Sequence, residues 1–343
     1  SIEQFGEKMN VDFHPAGRGI GHQIMIEEGY AWPRSFVVAS DSHSNVYGGI
    51  GALGTPVVRT DAAALWATGE TWWQIPPVTN VVLQGELPKG VSGKDLIVAL
   101  CGIYNQDEVL NHALEFTGPG VASLSISARL TIANMTTEWG ALTGIFPCDE
   151  TTRAWYQERV GMHPKFTPHA VESLQDEVPL ADANAPYAQV ITVNLGEVVP
   201  CICGPDSVKV MEPIHQITSE KRAIQKAYLL SCTNARVEDL AQAADVLQGK
   251  QVAESVDFYL APASNEVQRE SEARGDWKAL VDAGAKVLPA GCGPCIGMGE
   301  GLLGENEVGI SATNRNFKGR MGDPSAEAYL ASPSIVAASA VAG

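Results

Sequence analysis

The stretch KVLPAGCGPCIGMGEG, residues 286–301, decides how this chain folds. It opens with KVLP, an apolar run of strand length, and passes at once into a glycine-rich loop holding Cys292 and Cys295. Cys232 is placed the same way, after AYLL (227–230) in LLSCTN. In a parallel α/β sheet, ligands sit beyond the carboxyl ends of the strands. Three cysteines at the ends of two strands can therefore converge on one point. Working outward, FVVA (36–39), NVVL (80–83) and DFYL (257–260) are further runs short enough for buried strands. Helical stretches lie between them. DAAALWAT (61–68) is alanine-rich, with Asp61 as a candidate N-cap. KDLIVALC (94–101) has helical apolar spacing, and VEDLAQAADVL (237–247) puts Leu240, Ala243 and Leu247 on one face. This alternation predicts α/β layers with mainly parallel sheets. Two linkers are expected. One is TWWQIPPVT (71–79), where a helix ends at a Pro-Pro pair. The other is the Pro/Asp/Glu-rich stretch 167–186, and a domain boundary is expected near residue 204.

The chain has 343 residues, enough for two or three domains. Apolar content is 45% and charged content 18%, as in ordinary globular proteins. No apolar run approaches the roughly 18 residues of a membrane span. A formal net charge of −17 argues against a nucleic-acid or anionic-membrane partner. An anionic substrate would need local cations set against that background. Seven sparse cysteines, an odd number, suit a reducing compartment rather than a disulfide scaffold. The N-terminal SIEQFGEKMN has no signal-peptide pattern.

Three thiolates do not make a closed structural zinc site, which takes four ligands. An iron–sulfur cluster normally takes four cysteines, so three leave one iron open, a Lewis acid suited to adding or removing water. From spacing alone the alternative stays open: Cys232 as a buried structural thiol, with an incidental CxxC. Cys201 and Cys203 form a CxC that competes for the ligand role. Cys101 and Cys148 sit in apolar company and read as core thiols.

SDSHSNVYGG (40–49) follows the strand FVVA, which puts Asp41, Ser42 and His43 at a strand end. Upstream, GRGIGHQ brings His22 to the start of an apolar helical run. Downstream, RLTIANMTTEWGA offers Asn134 and Glu138 on one helical face. A histidine held by a carboxylate has a fixed tautomer and raised basicity, as a general acid/base needs. The sequence permits two such pairs, and equally two structural histidines. In SATNRNFKGRMG, Arg315 and Arg320 are either carboxylate forks or part of a solvated loop.

Together these motifs resemble the aconitase family. GxGIxHQ, DSH, ATGxxW, GxLPxGVxxKD, NMxxExGA, SCTN, CGPCIG, NRNFxGR and the terminal ASPxIVAASAVAG occur in the family's order and approximate spacing, over nearly the whole chain. The wording ASDSHSNVYGG, VRTDAAALWATGETWWQIPP and RLTIANMTTEWGALTG is most similar to the fungal homoaconitase branch. The resemblance implies a 4Fe–4S cluster held by Cys232, Cys292 and Cys295, with one open iron. It pairs His22 with Asp41 and His43 with Glu138 as catalytic groups. Ser42, Asn134, Asn314, Arg315 and Arg320 would line the substrate site, the arginines gripping carboxylates of a small tricarboxylate. The implied activity is a mitochondrial hydro-lyase that interconverts homoaconitate and homoisocitrate in lysine biosynthesis through α-aminoadipate. The implied fold is a three-domain α/β core around the cluster, over 1–76, 77–203 and 204–343, plus a swivelling fourth domain.

Departures from the family pattern shape these expectations. The family's upstream Asp-His pair has no counterpart, and Val46 stands where aconitases acting on citrate have Asn. AVAG falls where the family's linker to the swivelling domain is expected to begin, and with that domain would come a serine base and further arginines. The chain is therefore expected to be a large subunit or an incomplete copy of a longer enzyme, the missing upstream segment favouring the copy, with little turnover alone. The competing readings are an isopropylmalate isomerase large subunit, an RNA-binding relative disfavoured by the charge, and a zinc-structured module disfavoured by the cysteine count.

Overall fold

The computed structural model describes residues 1–174, 181–182, 184–217 and 222–343. The expected linker at 167–186 lies partly outside these residues, and its opening forms a short helix, Pro168–Glu172.

Three sheets organise the chain. A two-stranded parallel sheet pairs Phe36–Ala39 with Leu53–Pro56. A four-stranded parallel sheet runs Thr143–Ile145, Ala113–Thr117, Val78–Gln84, Gln189–Asn194. Its strand Val78–Gln84 buries Thr79, Val81 and Leu83 in alternation, the period-two signature of one face on a core. The seven-stranded sheet runs Lys286–Val287, Asp257–Leu260, Lys226–Leu229, Val308–Ser311, Glu327–Ala331, Cys201–Cys203, Met211–Pro213. Its first five strands are parallel, and the last two join antiparallel. From Lys226–Leu229 the chain builds outward to one side through residue 287, then returns to build the other side from Val308. The strand order thus reverses between Lys226–Leu229 and Val308–Ser311, where an open α/β sheet forms its binding crevice.

The helix Val237–Leu247 spans the expected range and buries Leu240, Ala243 and Leu247. Burying each leucine is worth about 1.5–3 kcal/mol. Cys101 and Cys148 are buried in hydrophobic clusters. Two expectations need correction. The alanine-rich helix spans Arg59–Thr68 with Val58 at its N-cap, so Asp61 lies in the first turn, where its charge faces the positive end of the helix. That helix ends at Gly69 in the left-handed conformation, not at the Pro-Pro pair, which lies in the extended lead into Val78–Gln84. The strand Cys201–Cys203 pairs with Glu327–Ala331 and with Met211–Pro213, so the seven-stranded sheet draws strands from both sides of residue 204.

The helix Ile126–Trp139 is the element around which the site is built. Ser125 caps it by accepting from the Ala128 N–H, and Gly140 ends it at φ 101°. The 3₁₀ turn Ser44–Ile50 lies flush on it. A Cβ at Gly49 would stand 2.6 Å from the Leu130 nitrogen of the helix, and one at Gly48 1.7 Å from the Gly144 carbonyl oxygen of the neighbouring strand Thr143–Ile145, so only glycine permits these contacts. Inside the helix, the fully buried Arg129 grips Asp149 with two 2.7 Å hydrogen bonds. Partial burial alone would raise the Asp149 carboxyl, but Arg129 outweighs it and holds the group below its ordinary value. The sign follows: a depressed carboxyl stabilises the fold above its unfolded pKa, and that stability is lost as pH falls through the folded value. Asp149→Ala strands a buried guanidinium and is expected to cost about 3–5 kcal/mol. Urea melts at pH 7 measure it, and the difference between variant and parent should shrink as the pH falls below the ordinary carboxylate range.

Candidate active site

Loops from the carboxyl ends of four strands meet over this helix. After Phe36–Ala39 come Asp41, Ser42 and His43. After Lys226–Leu229 comes Cys232, and after Lys286–Val287 the loop with Cys292 and Cys295. After Val308–Ser311 come Asn314 and Arg315. Helix Ile126–Trp139 contributes Asn134 and Glu138 one turn apart, and helix Gly21–Glu27 contributes His22.

The polar groups form a chain of contacts. His22 Nε2 lies 3.3 Å from Asp41 Oδ1, without the alignment of a hydrogen bond. The same Asp41 oxygen accepts from the His43 backbone N–H at 2.9 Å and lies 3.7 Å from His43 Nδ1. His43 Nε2 meets Glu138 Oε1 at 3.1 Å. That oxygen also accepts from Arg315 Nε at 2.7 Å, and Arg315 donates a second bond, 2.9 Å, to Ser42 Oγ. Both histidines are buried, while Asp41 is half exposed. Burial alone would raise the Asp41 carboxyl, but the two flanking histidines outweigh it and hold it well below the usual carboxylate range. Asp41 is thus an ionised hinge between two imidazoles.

The sulfurs lie beside this chain. Asn134 Nδ2 is 3.2 Å and Asn314 Nδ2 3.5 Å from Cys232 Sγ, and Asn314 Oδ1 is 3.6 Å from Cys295 Sγ. Asn314 also donates to Asn134 Oδ1 at 3.2 Å. All three thiols are free. Burial, then repulsion from Cys295, pushes the Cys232 thiol up to about 12. Burial raises Cys292 too, and Cys232 and Cys295 add to it. Burial raises Cys295, with Arg320 beside it acting the other way. The Cys232 and Cys292 thiols therefore sense the neighbouring sulfurs and resist ionising beside them.

Among the described residues, no three His, Cys, Asp or Glu side chains could hold a single metal ion. A single-ion site needs donors about 2.0–2.3 Å from one point. A polynuclear cluster spreads its thiolates over several irons, and three mutually repelling thiols are the donor set that an iron-rich group would stabilise as thiolates. Arg320 Nε is buried without a hydrogen-bond partner, a polar group left for a ligand, whereas His22 Nε2 already faces Asp41. The donor set fits an iron–sulfur cluster with an anion beside it. Cys201 and Cys203 do not join these thiols. They are buried in the core of the four-stranded sheet unit, and the Cys201 thiol donates to the Val199 carbonyl.

Several supporting residues escape a reading by motif. Arg236 ties the SCTN loop to the helix by bonding the Cys232 and Thr233 carbonyls and Thr131 Oγ1. Thr233 Oγ1 donates to Asn134 Oδ1. Ser231, at φ 98°, holds a conformation rare outside glycine just before Cys232. Tyr47 stacks on His22, with ring centroids 5.8 Å apart. The sequence signals here were faint: one arginine two residues past SCTN, one tyrosine among glycines. Val46, by contrast, is buried in the apolar cluster with Ile26, Val37 and Leu130.

The aconitase family model (aconitate hydratase) matches residues 1–343. A mitochondrial homoaconitase of Debaryomyces hansenii is 61% identical over all of this chain and 50% of its own length. Those of Yarrowia lipolytica and Candida albicans are 61% and 59% identical, over all of this chain and 50% and 51% of theirs. The chain thus spans about half the length of the curated relatives it matches. Because the family model and these relatives cover every strand and loop that builds the site, the chain belongs to the aconitase family.

Proposed function

We propose that this chain is the cluster-bearing part of a homoaconitate hydratase, a mitochondrial hydro-lyase that interconverts homoaconitate and homoisocitrate in lysine biosynthesis through α-aminoadipate. One observation carries the reading. A continuous contact chain, Asp41–His43–Glu138–Arg315–Ser42, runs beside three cysteines in a family whose fungal relatives here are named homoaconitases. Cys232, Cys292 and Cys295 would hold a 4Fe–4S cluster, which when bound supplies a Lewis-acidic open iron.

The chain's own residues would do the rest. His43, oriented by Glu138 at one nitrogen and by Asp41 on the other side, holds or moves a proton. His22, against Asp41, offers a second such group. Arg320 presents an unpartnered buried N–H for a substrate carboxylate, and Arg315 and Ser42 offer a second polar contact. Asn134 and Asn314 orient the thiol side of the pocket. Burial of both imidazoles keeps bulk water from competing for these contacts. A swivelling domain, in cis or on another subunit, would supply the remaining substrate contacts. Nucleic acid is a poor partner for a chain of net charge −17, and no described helix is long and apolar enough to cross a membrane.

The test is anaerobic reconstitution with iron and sulfide. The expected result is a brown protein holding both in equal amounts. A colourless protein with one zinc per chain would overturn the cluster reading. Substrate choice is tested separately, by comparing hydration of homoaconitate, aconitate and isopropylmaleate in a chain of the relatives' full length. Preference for isopropylmaleate would overturn the homoaconitate assignment.

A further inference from the structure

Lys94 is a costly placement for a charge. It is fully buried. It is the second residue of the helix Gly93–Ile103, whose N-terminal end already carries partial positive charge. Its hydrogen bonds among the described residues go to two backbone carbonyls, Ala312 at 3.1 Å and Thr313. Burial lowers its pKa to about 8, against the pull of Cys203, Cys295 and two aspartates. A local arrangement this unfavourable tends to mark a functional demand.

The helix end that carries Lys94 is pinned from two sides. A Cβ at Gly93 would stand 2.9 Å from the Ala128 carbonyl oxygen, so the helix lies flush on Ile126–Trp139. Asp95 accepts from the backbone N–H groups of Ser92 and Cys201, which ties the same turn to the seven-stranded sheet. The ammonium is thereby held at the end of strand Val308–Ser311, directly before Asn314 and Arg315. Asn314 touches Cys232, Cys295 and Asn134, and Arg315 touches Glu138 and Ser42. One buried cation therefore sets the backbone from which both side chains reach the site.

We propose that Lys94 is a positioning residue for the cluster, clamping the Ala312 and Thr313 carbonyls so that Asn314 and Arg315 meet the cysteine loops, and offsetting the negative charge of a bound cluster. The inference rests on the cluster reading above. Lys94→Gln retains a donor for the carbonyls and removes the charge, whereas Lys94→Met removes both. With the charge gone, the reduced and more negative cluster loses stabilisation, so both variants should show a lower reduction potential. Lys94→Met should also lose iron to a chelator roughly 10- to 100-fold more readily, the usual cost of losing an outer-shell partner. In the apoprotein, amide exchange over residues 312–316 should quicken in Lys94→Met and stay near the parent rate in Lys94→Gln.

The outcomes separate the two ideas. A parent protein that takes up no cluster defeats the cluster reading, and the offset of charge with it, while amide exchange still judges the clamp. A parent that loads normally, with variants matching it in potential and chelator resistance, defeats the role of Lys94 and leaves the cluster reading standing. Should Lys94→Met fail to fold, the potential of Lys94→Gln decides, and an unchanged value overturns the proposal.

Discussion

Cys232→Ser, Cys292→Ser and Cys295→Ser are each expected to abolish the brown absorbance of the reconstituted protein, whereas Cys203→Ser should retain it. A serine hydroxyl ionises far less readily than a thiol and is a poor substitute for a thiolate ligand. At Cys232 the change also replaces the sulfur that accepts from Asn134 and Asn314 with a smaller oxygen on a shorter bond. Cys203 differs in kind. It is fully buried in a core cluster, on a strand paired with Glu327–Ala331. Placing a hydroxyl there is expected to cost about 1–3 kcal/mol of stability, visible in a urea melt, without touching the colour. Full cluster content in Cys232→Ser, or none in a folded Cys203→Ser, would show that the ligands have been assigned wrongly.

Glu138→Gln is expected to reduce homoaconitate hydration about 10²–10⁴-fold in a chain of the relatives' full length, the range general acid–base groups typically supply. One Glu138 oxygen receives both His43 Nε2, at 3.1 Å, and Arg315 Nε, at 2.7 Å. Glutamine keeps the shape but lacks the charge that holds the His43 ring and the Arg315 guanidinium together. Its amide can also rotate to present N–H to one of them, which breaks that contact. Because His43 would lose its orienting partner, the pH–rate profile should change shape along with the maximum. Arg315→Lys should fall mainly in substrate affinity, since an ammonium cannot reach Glu138 and Ser42 as a fork does. A Glu138→Gln enzyme within about threefold of the parent would exclude the carboxylate from the acid–base work.

How much of this was legible beforehand varies by residue. Helix Val237–Leu247 was plain because its three apolar positions repeat with the helical period, and the core buries that face. Asn134 and Glu138 were likewise placed on one face by their spacing. Local capping was harder. Asp61 had the right chemistry for an N-cap, yet the helix starts two residues earlier at Arg59. The Pro-Pro pair marked a real break, but Gly69 had already ended the helix in a conformation open to glycine. Lys94 and Arg236 were invisible as site-builders, because on the site loops they hold backbone carbonyls, and any residue can supply a carbonyl.

The sequence by itself determined the α/β alternation, the position of Cys232, Cys292, Cys295, His22 and His43 at strand or helix ends, and the small residues that allow close approach. These follow from apolar periodicity and backbone sterics, which act over a few residues. Tertiary structure alone decided which of those ends meet. Ser42 and Arg315 share a hydrogen bond across 273 positions of chain, and Cys232 and Asn314 face each other because the strand order reverses between their strands. Cys201 and Cys203, a CxC that competed for the ligand role in the sequence, lie in a core cluster on a strand paired with Glu327–Ala331. Convergence depends on how buried faces pack across the whole sheet, and no local run of residues encodes that.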